Sequence, residues 1–126
     1  MSAQVLIMEI NGKIFEVELN DNNAARDLVK TLPQQISMSR WGDEYYGSLQ
    51  GKIDSADPRR EVFEIGEVAL WPSGNAFCVF FGPTPASQGS EPRMASPGVP
   101  FGKIKGDATA LRGFGSSVKA ALSLKP

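Results

Sequence analysis

The chain has no histidine and only one cysteine among its 126 residues. Without imidazole there is no Ser-His-Asp or Cys-His nucleophile, no histidine general base and no histidine zinc ligand. A single thiol forbids an intrachain disulfide and leaves no soft donor set for a transition metal. It also suits a reducing cytoplasm, which is the expected location. An excess of charge is missing too. Thirteen basic and fourteen acidic residues give a net charge of −1, so no bulk attraction to nucleic acid or to an anionic membrane is expected. No apolar run is long enough for a spanning helix. The opening segment MSAQVLIMEI lacks a basic region and a cleavage pattern, so no signal peptide is expected. The glycines form no GxGxxG or Walker pattern, and neither a phosphate cradle, a cofactor nor a metal is expected.

What is present suits a single domain over residues 1–126. At 41% hydrophobic residues a chain of this length can bury a core without staples. Its centre is residues 66–85, GEVALWPSGNAFCVFFGPTP. Val68 and Leu70 lead to Trp71, which is expected in the core. Pro72-Ser73-Gly74-Asn75 supplies turn residues, and Phe77 to Phe81 is an unbroken run that fits a strand buried on both faces.

The flanks read mostly as strands. Residues 4–10 and 13–19 flank Asn11-Gly12, the strongest short hairpin signal, with Phe15, Val17 and Leu19 on one face. Capping types at 20–23 precede a short helix over residues 23–31, stopped by Leu32-Pro33. Residues 34–40 fit a strand with Ile36 and Met38 inward, and residues 48–60 are polar and turn-rich. Residues 60–70 fit two short strands broken at Gly66. Residues 82–100 hold five of the nine prolines and read as a long loop. Short strands at 101–105 and 118–124 follow, with one helical turn at 107–112 between them. About eight short strands and one helix predict a mainly β sandwich or closed barrel whose terminal strands pair.

Three blocks carry a resemblance: Trp41-Gly42-Asp43-Glu44-Tyr45-Tyr46, Glu64-Ile65-Gly66-Glu67-Val68 running into Trp71-Pro72-Ser73-Gly74-Asn75-Ala76, and Phe80-Phe81-Gly82-Pro83-Thr84-Pro85. With Gly102-Lys103-Ile104 they span nearly the whole chain in order. The chain thereby resembles the small cyclophilin-like proteins of bacteria and archaea, a family of largely uncharacterised function. The resemblance implies a closed, eight-stranded cyclophilin-like β-barrel with one helix capping an end. It does not carry a catalytic set: the histidine of the cyclophilin proline pocket has no counterpart, and no arginine falls on that motif.

The leading functional reading is a binding module, with a small molecule or an extended peptide held in a groove on the barrel. Its expected lining is Trp41, Glu44, Tyr45, Tyr46, Phe81 and Arg93, with no residue assigned a catalytic role. Aromatics give flat contact area, acids take a cation or an amide donor, and Arg93 anchors an anionic or carbonyl group. The same residues also serve plain packing: Trp41 and Tyr45 as barrel fill, Asp43 and Glu44 in turns or paired with Arg40. A weak peptidyl-prolyl isomerase is the second reading and a structural or homo-oligomerisation domain the third. Phe80 and Phe81 point to opposite faces of a regular strand. Glu61, Glu64 and Glu67 alternate along theirs, so they read as solvated surface beside Arg59 and Arg60. Cys78 lies inside the apolar run and reads as an inert, buried thiol.

Overall fold

The computed structural model describes residues 4–54 and 56–126. The first three residues, part of the segment read for a leader, and Ser55 of the polar 48–60 stretch lie outside the described residues. Strands β1 (Val5–Ile10) and β2 (Lys13–Leu19) form the N-terminal hairpin. Asn11 and Gly12 hold φ of 53° and 81°, the positive pair a type I′ turn requires. Phe15, Val17 and Leu19 are buried while Ile14 is 59% exposed, so the strand has the expected phase. Helix α1 (Asn23–Lys30) starts at Asn22, whose side chain accepts from the Ala25 amide; the Asp57 carboxylate accepts from Ala24. Ala24, Ala25 and Leu28 are buried in the main core.

The remaining strands are β3 (Gln34–Arg40), β4 (Glu44–Ser48), β5 (Arg60–Val62), β6 (Glu67–Trp71), β7 (Ala76–Phe80), β8 (Arg93–Ile104) and β9 (Ser117–Leu124). Two 3-10 turns, Pro72–Gly74 and Ala108–Gly113, complete the described elements. The sheet runs β2-β1-β9-β3-β4-β7-β6-β8, and β8 pairs again with β2, so eight antiparallel strands are linked in a ring. First and last strands lie side by side, β1 against β9. The ninth strand, β5, pairs with β8 alone. A mainly β architecture with one α-helix is therefore present.

The stretch read as a loop over residues 82–100 is corrected in its second half. Strand β8 begins at Arg93 and runs through Pro97 and Pro100. Proline lacks the amide a regular ladder needs, but the β6–β8 register shifts between Val68 and Ala69, opposite Gly102 and Pro100. A bulge of that kind tolerates proline inside a strand.

The strands β4, β6, β7 and β8 bury side chains on both faces. Tyr45, Val68, Leu70, Phe77, Val79, Phe81, Val99 and Phe101 belong to the main core inside the ring. The alternate positions Ala69, Ala76, Cys78, Phe80 and Met94 join Phe63 in a second cluster on the outer face. Phe63 stacks on Phe80 at 4.8 Å between centroids, so the segment after β5 acts as a partial lid over that cluster. Trp71 packs half-buried against this outer cluster, not in the ring's interior where it was expected.

Candidate functional site

The candidate site lies on the outer face, where the lid stops short. The β3–β4 turn sets its geometry. Gly42 takes φ of 61°, and a Cβ there would come within 2.9 Å of the Thr84 backbone, so glycine is needed for both conformation and space. The Trp41 amide donates to the Glu44 carbonyl, closing the turn. The Arg40 guanidinium donates to the Gly42 carbonyl and the Asp43 carboxylate at 2.8 Å each and lies over the Phe81 ring at 5.0 Å. Arg112 donates to Asp43 from the other side. With the turn fixed, β4 starts in a set phase: Glu44 and Tyr46 face outward and Tyr45 inward.

Glu44, Tyr46 and Trp41 thereby meet Trp71, Met94 and Ala95 around a cavity of about 290 Å³. That is the small end of ligand-pocket size, which begins at roughly 300 Å³. The Trp71 indole N–H donates to Ser96 Oγ at 2.7 Å, and its six-membered ring lies against Gly74, so this wall is held in place. Glu44 forms the floor. Its side chain is buried, with the residue 3% exposed, and its Oε1 has no hydrogen-bond partner among the described residues. Burial pushes the carboxyl up to about 7, opposed only by a hydrogen bond with the Cys78 thiol. The thiol itself is raised well above its ordinary value, first by burial and then by the neighbouring carboxylate. It is therefore held protonated, as expected of an inert cysteine. A larger depression of about 450 Å³ at residues 51–53 and 72–75 is lined by turn backbone and Lys52, with no acid in its lining.

Of the six residues expected to line a groove, the structure brings together Trp41, Glu44 and Tyr46. Tyr45 and Phe81 stand elsewhere. Both are fully buried inside the ring, 5.4 Å apart between ring centroids, and the Tyr45 hydroxyl donates to the Gly115 carbonyl. Phe80 and Phe81 do point to opposite faces, but Phe80 is the outward one, already covered by Phe63. Arg93 is absent from the cavity lining; its charge is matched by Glu61 at 3.2 Å and Glu91 at 3.3 Å. The glutamates at 61, 64 and 67 do not converge, since each pairs with its own cation, Arg93, Lys103 and Arg60. Glu67 departs from the solvated reading: it is buried and accepts from Arg60 and from the Glu64 amide. Trp71, expected in the core, and Ala95 line the cavity beyond the expected set. The signal for Trp71 was present, because it alternates with the inward pair Val68 and Leu70.

Among the described residues no helix is long and apolar enough to cross a membrane. A protein-family model described as Cyclophilin-like matches residues 4–122. No curated protein matches the chain. Among solved structures, that of the hypothetical protein AF2241 from Archaeoglobus fulgidus superposes with a TM-score of 0.82 at 30% identity, over 96% of this chain and 94% of that one. With the family model spanning nearly its whole length and the ring of strands in place, the chain belongs to the cyclophilin-like family.

Proposed function

We propose that this protein is a binding module whose ligand, a small molecule or one side chain of an extended peptide, sits in the outer cavity over Glu44. The ring is read here as a closed barrel, a rigid frame for a site built on its outer wall, and the cytoplasm as its compartment. The observation that carries the reading is the buried carboxyl with an unpartnered oxygen in an otherwise apolar recess. Such a group lowers the stability of the empty fold unless a partner arrives, and groups of this kind cluster at functional sites. Two tryptophans and a tyrosine beside it supply contact area at little cost in side-chain entropy.

The test is a panel of small metabolites and proline-containing peptides screened by thermal shift and by the indole N–H signals of Trp41 and Trp71. The expected result is a melting midpoint that rises with ligand concentration by mass action, with both indole signals moving and the response lost in Trp41→Ala. A ligand whose effect survives Trp41→Ala, or moves only signals around residues 51–53, contradicts the assignment. Acceleration of proline isomerisation by the wild type and not by Glu44→Gln would turn the module into the weak isomerase.

A further inference from the structure

We propose that the outer cavity takes an alkylated ammonium group, a compact organic cation caged by Trp41, Tyr46 and Trp71 above Glu44. This rests on reading the cavity as a binding site and adds the chemical class of its occupant. Three of the six lining side chains are electron-rich aromatics, and two are tryptophan, the strongest cation–π partner. Met94 adds a polarizable thioether. Among the described residues no lysine or arginine lines the cavity, and the one acid that does is Glu44 at its floor. A ligand anion would place a second negative charge beside a desolvated carboxylate, and above about pH 7 a neutral ligand would leave that carboxylate without a counter-charge. An ammonium bearing methyl or methylene groups meets both demands: its charge answers Glu44, and its carbons lie on apolar walls. The volume of about 290 Å³ holds such a head group.

The proton balance gives the proposal a signature. The titratable group facing the Glu44 carboxyl is the Cys78 thiol of β7, and Tyr46 of β4 shares the cavity lining. Arg40 and Asp43 of the turn are bound to each other, and β6 and β8 contribute only Trp71, Met94 and Ala95 to the lining. A cation binds the ionised carboxylate, so below about pH 7 binding must release the Glu44 proton. Apparent affinity should then rise roughly tenfold from pH 6 to pH 8 and level off above.

The experiment titrates tetramethylammonium, choline, a trimethyllysine peptide and the neutral isostere 3,3-dimethylbutanol into the protein at pH 6 and pH 8, read by calorimetry and by the Trp41 and Trp71 indole signals. Wild type is compared with Glu44→Gln and Tyr46→Ala, each checked for folding by thermal unfolding. The cations are expected to bind, roughly tenfold tighter at pH 8 than at pH 6, with the isostere at least about tenfold weaker. Glu44→Gln should abolish the pH dependence and weaken cation binding at pH 8; Tyr46→Ala, at an exposed position, should weaken it with the fold intact. Choline binding in preference to the peptide places the group on a free molecule, and the reverse places it on a polypeptide; either result supports the assignment. Isostere binding as tight as choline overturns the cation and leaves the binding module standing. Silence from all four probes also overturns the cation, and the metabolite and peptide panel then decides the binding reading on its own.

Discussion

The two faces of the β4–β7–β6 wall are built from alternate residues of the same strands, yet they end in opposite states. Inside the ring, Tyr45 is fully buried and its hydroxyl is satisfied by the Gly115 carbonyl, while Phe77 stacks on Phe101 at 5.8 Å. Outside, Phe63 covers Phe80, but beyond it Glu44 is buried with an oxygen unpartnered, beside a half-exposed aromatic recess. Among the described residues the inner face leaves no buried side-chain polar atom open; the outer face leaves one, where a ligand can reach the aromatics around it. Stability and binding are thereby separated across one layer of backbone.

The largest expected effect lies inside. Phe77→Ala should cost about 3–5 kcal/mol in urea unfolding through the cavity it leaves, and a loss below about 1 kcal/mol would show that the inner face is not closely packed. Next comes Glu44. Its carboxyl has a folded-state value of about 7 against an ordinary 4.5, so the folded state binds the proton more tightly than the unfolded one. That contribution to stability is present below about pH 4.5 and is lost as pH rises through 7. Glu44→Gln should therefore be more stable than wild type by roughly 3 kcal/mol at pH 8 and nearly equal to it at pH 4, measured by denaturant unfolding. A stability difference independent of pH would erase the contrast between the faces.

Tyr45→Phe removes the hydroxyl's hydrogen bond to the Gly115 carbonyl and should cost about 1 kcal/mol, read in the same unfolding curves. Smallest is Tyr46→Ala, at a position 38% exposed on the outer rim. Its effect on the unfolding free energy should stay within about 0.5 kcal/mol. A larger loss would mean that Tyr46 supports the fold instead of serving the cavity.

Much of the frame was legible because period-two patterns and turn chemistry are local. Asn11-Gly12 fixed the first hairpin, and Phe15, Val17 and Leu19 gave the phase of β2. The site was only partly legible, for a definite reason. Where both faces of a strand are apolar, alternation says that neighbours point apart but not which one points inward. Phe77 to Phe81 is such a run, every member almost fully buried, and Phe81, expected in the groove, stands on the inner side of the wall. Arg93 precedes prolines that read as a loop, whereas the β6–β8 bulge accommodates Pro100 within β8 and Glu61 and Glu91 take the guanidinium. The cavity itself joins β4, β6 and β8 to the β3–β4 turn, and no local pattern announces which separated residues will share a recess.

The most direct measurement is the titration of the Glu44 side-chain carboxyl, followed by carbon-detected NMR in the folded protein without ligand. A midpoint near 7 is expected of a dry carboxyl whose Oε1 has no hydrogen-bond partner on the outer wall. A midpoint in the ordinary range near 4.5 would mean the group is solvated, and the outer recess would then be surface with no special demand for a ligand.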